Sequence, residues 1–131
     1  MKPLTREWVE KAEGDFTCVQ REWRARKSPV YDALCFHAQQ CSEKYLKACL
    51  QEYNVEFEKT HNLHLLLEKV LPVAPLLAPV RDHLGVLNVY AVAFRYPGSS
   101  AERSDASAAR QHCMAVRDAC RCQLQLHAHG G

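Results

Sequence analysis

At 131 residues and 14.9 kDa the chain holds one domain's worth of polypeptide, enough to bury a core without disulfides or metal, and a multidomain enzyme is not expected. Sixteen alanines and fifteen leucines outweigh eleven valines, three threonines and no isoleucine, which favours helices over a sandwich or barrel. Seventeen basic against fifteen acidic side chains leave a net charge of +2, too little by itself to specify a nucleic-acid partner.

The mean hydropathy of -0.34 fits a soluble globular protein, and the longest apolar stretch, Val70 to Val80, is broken by Pro72, Pro75 and Pro79. No membrane segment is expected from it. The opening residues carry no apolar stretch of the kind a secretory signal needs, so a cytoplasmic location is expected. Seven cysteines, mostly at apolar positions of helical patterns, read as reduced core residues.

Hydrophobic spacing divides the chain into five helices. The first runs from an N-cap at Thr5 to about Trp23, with Trp8, Ala12, Phe16, Val19 and Trp23 on one face. Gly14 lies inside it and weakens it by up to ~1 kcal/mol relative to Ala. Ser28-Pro29 has the form of an N-cap followed by proline, and starts a second helix that reaches about Tyr53, burying Leu34, Ala38, Cys41, Tyr45, Ala48 and Cys49. A third opens near Thr60-His61-Asn62 and turns Leu63, Leu66, Leu67 and Val70 inward before the prolines, which read as a connector.

The fourth helix presents Val80, Leu84, Leu87, Ala91 and Phe94 and ends at Arg95-Tyr96-Pro97-Gly98. After a polar, mobile loop the fifth begins near Ser104 or Asp105 and buries Ala109, Cys113, Val116, Cys120 and Leu124. The expected fold is all-α, an antiparallel up-and-down bundle of four to five helices in a single domain, with its core at about 5–125 and a disordered tail at 126–131.

On the second helix His37, Gln40, Lys44, Lys47 and Gln51 share one stripe. An imidazole, an amide and two ammonium groups offer a phosphorylated ligand several donors and positive charge together, and the same spacing is that of an ordinary solvated face. Arg103, Arg110, Arg117 and Arg121 form a line along the fifth helix that could track phosphates or be plain surface charge. Arg95-Tyr96, at a helix end, sets a cation beside an aromatic where a phosphate and a base could meet both, or where the arginine caps its own helix's carbonyls. His37 with Cys41, and Cys120-x-Cys122 with His127-x-His129, are too scattered for four-ligand zinc binding, so neither metal nor cofactor is expected. No cysteine sits where a catalytic thiolate would form.

Trp8 with Ala12 to Asp15, the block Phe36-His37-x-Gln39-Gln40-x-x-Glu43-Lys44-Tyr45-Leu46-Lys47-Ala48, then Thr60-His61-Asn62-Leu63, and Tyr90 through Arg95-Tyr96-Pro97 together resemble the HEPN domain, the higher eukaryote and prokaryote nucleotide-binding domain. The resemblance spans about residues 6 to 124, with His61-Asn62-Leu63 where the family usually shows His-Asp-Leu. It implies a helical bundle, commonly a homodimer, that binds nucleotides or RNA and often acts beside a minimal nucleotidyltransferase in a toxin and antitoxin module. Nucleotide-binding residues on this reading are Arg95, Tyr96, His37, Gln40, Lys44 and Lys47.

Many relatives cleave RNA without metal through Arg-x(4 to 6)-His. Here Arg95 is followed by Ser100, Ala101 and Glu102 at the matching positions, so no catalytic residue is assigned. Arg121 and His127 repeat the spacing, but at the far C-terminus. The resemblance is thus to a non-catalytic, Arg-Tyr-Pro branch. The competing readings are an RNA-cleaving toxin with an unconventional residue set and a pure interaction bundle.

Overall fold

A computed structural model of the chain describes residues 1–126. Its α-helices are α1 (Pro3–Arg24), α2 (Tyr31–Glu52), α3 (Leu63–Val70), α4 (Arg81–Leu87) and α5 (Arg103–Gln123), with 3-10 turns at Pro75–Val80 and Asn88–Ala91. No strand occurs among the described residues, and the fold is an all-α bundle. No described helix is long and apolar enough to cross a membrane. The tail assigned to 126–131 lies, from residue 127 on, outside the described residues.

Contacts at both ends fix the helix directions. The Lys2 amide donates to Glu52 Oε1 at 3.1 Å at one end of the α1–α2 pair, and the Val30 amide donates to Glu22 Oε1 at 2.8 Å at the other, so these helices are antiparallel. The Ala101 amide meets Asp32 Oδ1 at 2.6 Å, and Tyr53 Oη meets the Gln123 carbonyl at 3.2 Å, so α2 and α5 run in the same direction. The chain achieves this by returning along α2 through residues 54–62 before α3 begins.

That arrangement puts α2 at the centre, packed on α1, α3, α4 and α5. Its expected inward face is buried as read, but Cys35, Gln39, Ser42, Glu43, Leu46, Lys47 and Leu50 are buried as well. The expected face of α5 is buried at every position, Ala109, Cys113, Val116, Cys120 and Leu124. Five of the seven cysteines are buried free thiols. Burial, with Asp105 and Asp32 nearby, pushes the Cys35 thiol up to about 12, which keeps it protonated and unreactive.

Helix starts differ from the local signals. Pro3 occupies the first turn of α1, so Thr5 lies buried inside the helix and is not its cap. The α1 seam is lined by Thr5, Val9, Ala12, Asp15 and Val19, with Trp8, Phe16 and Trp23 half-buried on its flanks, because small side chains let the helices approach and rings do not. Ser28 takes a left-handed φ of 48° in the connecting turn, and α2 starts only at Tyr31. The proline connector is itself helical, a 3-10 turn with Pro75 in its first turn.

The fourth helix is also shorter than its pattern. It gives way to the 3-10 turn, and Phe94 adopts a left-handed φ of 63°, stacked on Tyr90 with ring centroids 6.0 Å apart. The loop expected to be mobile is tied to α2 through Asp32, and Arg103 Nη1 donates to Tyr31 Oη at 3.0 Å. Glu102 caps α5 in a reciprocal box with Asp105.

Candidate functional site

Three carboxylates on α1 and α2 organise the polar side chains of the bundle. Asp15, 8% exposed, accepts from His37 Nδ1 at 2.7 Å and from Lys44 Nζ at 2.6 Å. Burial alone would raise its carboxyl, but the bonds from His37 and Lys44 and the Lys44 charge outweigh burial and hold it below the usual carboxylate range.

Glu13, two residues earlier on α1, takes a two-pronged bond from Arg117, with Nε at 2.7 Å and Nη2 at 2.8 Å, and a further bond from the Tyr45 hydroxyl. Its carboxyl is likewise raised by burial and lowered further by Arg117, Tyr45 and Arg121. Burial and the ionised Glu13 push the Tyr45 hydroxyl above its ordinary value, and the same partner raises Arg117. Arg121, buried, donates to Tyr45 Oη at 3.0 Å. These groups lock α1, α2 and α5 together.

The third carboxylate, Glu43, is 4% exposed and faces the returning chain. Its Oε2 accepts from Lys47 Nζ at 2.9 Å, and its Oε1 from His61 Nδ1 at 2.9 Å, Gln39 Nε2 at 3.3 Å and Gln40 Nε2 at 3.4 Å. His61 is held by its backbone too, since Gln39 Nε2 donates to its carbonyl at 3.0 Å. The next residue, Asn62, caps α3 by accepting from the amides of His64 at 3.0 Å and Leu65 at 3.4 Å. A carboxylate only accepts, so the Nδ1 of His61 donates to it, from a side chain 73% exposed.

Arg95 completes the site. It follows the left-handed Phe94 and donates one long bond, 3.4 Å, from Nη1 to the Ala91 carbonyl. A guanidinium has five N–H donors, so most of its capacity remains, and among the described residues no carboxylate pairs with it. The left-handed turn at a bulky residue costs ~1–3 kcal/mol, a cost that recurs where a chain must aim a functional side chain. Arg95 lines a pocket of about 200 Å3 together with Phe36, Gln40, His61 and Ala91. Tyr96, beside it, is 75% exposed.

A family model described as HEPN domain matches residues 5–123. The chain belongs to the HEPN domain family. No curated protein and no solved structure matches the chain. Membership carries a nucleotide- or RNA-related function in general terms.

Within this HEPN domain the residues singled out in the sequence separate into two groups. Arg95 and Gln40 converge on one pocket, with Tyr96 following Arg95 in the chain. His37 and Lys44 bond to Asp15 and Lys47 to Glu43, so these three residues of the second-helix stripe are taken up within the bundle and do not form a solvated face. Lys47 also lies over the Trp8 ring at 5.5 Å. The arginine line of α5 divides as well. Arg103 and Arg110 lie over Trp23, at 4.3 and 5.5 Å from the ring centre, whereas Arg117 and Arg121 face Glu13.

Phe36, Glu43 and His61 were not among the binding candidates, although all three stand in the sequence blocks that carry the resemblance. The missing signal was tertiary: residues 36, 61 and 95 meet only because residues 54–62 return along α2. A second concavity, an open groove of about 630 Å3 between α1 and α5, includes Phe16, Arg21, Arg24 and Arg117 in its lining. Among the described residues no three His, Cys, Asp or Glu side chains converge as metal ligands; His127 and His129 lie outside them.

Proposed function

We propose that this HEPN domain binds single-stranded RNA or a nucleotide through the Arg95 pocket, with a phosphate on the Arg95 guanidinium and a base against Phe36 and Gln40. The observation that carries the reading is an arginine with no carboxylate partner among the described residues, sharing a pocket with an aromatic ring, an amide and an imidazole. Guanidinium and amide donors suit phosphate and base edges, and a ring face suits stacking. The volume, about 200 Å3, lies below the ~300–1,000 Å3 of a site that encloses a whole ligand. One phosphate or one base therefore enters while the rest of the ligand lies across the surface, where Tyr96 is exposed to meet it.

As the resemblance implies, the module works as a homodimer beside a small nucleotidyltransferase, in a toxin and antitoxin pair. Exposed Val89, Val92 and Tyr96 near the pocket supply apolar surface for such a contact. Calorimetric titration with a short unstructured RNA tests the reading. Affinity is expected to fall as salt rises, and Arg95→Ala to weaken binding by about 1–3 kcal/mol. Unchanged affinity in the variant would assign Arg95 to capping its own helix, and a mass near 14.9 kDa by light scattering on the same samples would contradict the dimer.

A further inference from the structure

The side of α1 that faces away from α2 carries a charge pattern that is its own complement. Thr5, Val9, Ala12, Asp15 and Val19 fill the inner seam, and Glu7, Glu10, Gly14, Thr17, Arg21 and Arg24 lie on the opposite side, every one exposed. Their steps of 3, 4, 3, 4 and 3 keep them in one line, the spacing along which two helices meet. The line reads acid, acid, small, small, base, base. Among the described residues no ion pair within the chain takes up any of its four charges. Its middle is low: a Cβ on Gly14 would meet nothing within 4 Å, and Thr17 Oγ1 donates back to the Glu13 carbonyl at 3.0 Å, so its hydroxyl is satisfied inside the helix.

We propose that this face docks on the same face of a second copy of the chain, with the two α1 helices antiparallel about a two-fold axis. The proposal rests on the homodimer reading above and names its interface, leaving the apolar surface at Val89, Val92 and Tyr96 to the other protein of that reading. Antiparallel pairing centred between Gly14 and Thr17 sets Glu7 opposite the partner's Arg24 and Glu10 opposite the partner's Arg21. The two-fold repeats both contacts, because each copy presents both ends of the line. The flanking cations Arg6 and Lys11 fall opposite the partner's Ala25 and the partner's Gln20, so like charges do not meet. A parallel pair in register would instead set acid on acid and base on base, which is unfavourable. Gly14 opposite the partner's Thr17 keeps the crossing point free of bulk, so the axes come close enough for the long charged side chains to reach across. Exposed ion pairs are individually weak and screened by salt, so the contact is modest in affinity, selective in orientation and sensitive to ionic strength. A phosphate backbone fits the line less well, since Glu7 and Glu10 occupy the end away from the arginines and repel it.

Sedimentation of the whole chain over a concentration series, at about 0.05 M and about 0.5 M salt, tests the pairing. The wild type is expected to self-associate, more weakly by ~10-fold or more at the higher salt. Glu7→Arg with Glu10→Arg makes the line wholly basic, and Arg21→Glu with Arg24→Glu makes it wholly acidic. Each double variant alone should self-associate more weakly than the wild type by ~10-fold or more, and an equimolar mixture of the two should recover association. Dilution of isotope-labelled wild type should shift the amides of Glu10, Gly14, Thr17 and Arg21, a readout that decides the matter should a variant fail to fold. Double variants that associate as the wild type does, or a mixture that recovers nothing, would overturn this interface and leave the homodimer reading to another face. A wild-type mass near 14.9 kDa throughout would overturn both. Shifts at Arg21 and Arg24 that arise only when a short unstructured RNA is added, with none on dilution, would assign the basic end to RNA and overturn the pairing.

Discussion

Asp15 shows how a single side chain decides what the surrounding cations are free to do. Its carboxyl is held below the usual range, so its folded pKa lies under the unfolded value of ~3.9. Such a group contributes stability that is fully present above the unfolded pKa and is lost as pH falls through the folded one. Asp15→Asn should cost about 1–3 kcal/mol near neutral pH, and the gap from the wild type should close progressively below about pH 4. Urea denaturation over a pH series checks this, and parallel curves for the two proteins would contradict the assignment. Glu13 is lowered too, so the variant retains part of the acid sensitivity. The sequence displayed His37, Lys44 and Lys47 as one stripe, which is correct as spacing. What it could not display is that Asp15, 29 residues from Lys44, lies against that stripe and bonds both Lys44 and His37. Arg95 stands at a helix end in the pocket with Gln40 and His61, and among the described residues no ion pair takes it up.

Elements were easier to read where a helix faces the core on one side. The face of α5 follows from spacing alone, and α3 opens after Asn62, at the place its sequence indicates. α2 is harder because it is buried nearly all round from Leu34 to Leu50, which erases the contrast that spacing depends on. Its start was misplaced because the acceptor for the Val30 amide is Glu22, in the last turns of α1, a contact no local signal encodes. At its other end Asn54 takes a left-handed φ of 59°, with Val55 donating to the Leu50 carbonyl at 2.9 Å, a turn that closes the helix and starts the return toward His61. Within the chain Gly14 has no comparable task. A Cβ there would meet nothing within 4 Å, and its helix position is exposed. Gly14→Ala should therefore stabilise the protein by up to ~1 kcal/mol, read as a raised urea midpoint, whereas a lowered midpoint would reveal a packing role that the open space does not show.

At the scale of the whole molecule, the bundle sorts its cations into two uses. Arg117, Arg121 and Lys44 meet a carboxylate or a hydroxyl of another helix and hold helices together, Lys47 pairs with Glu43 within α2, and Arg95 lines a pocket with His61 and Gln40. The helical class and the order of elements were legible from composition and periodicity, because burying amphipathic faces leaves few alternatives. The pocket was not, since it depends on α2 and α5 running in the same direction and on the extended return that this direction requires. The central claim, that ligand is taken at this pocket, is tested most directly by nuclear magnetic resonance titration of labelled protein with a short unstructured RNA. The account predicts concentration-dependent shifts at Phe36, Gln40, His61 and Arg95 that are lost in Arg95→Ala; shifts confined to Phe16, Arg21 and Arg24 in the α1–α5 groove, or none at all, would contradict it.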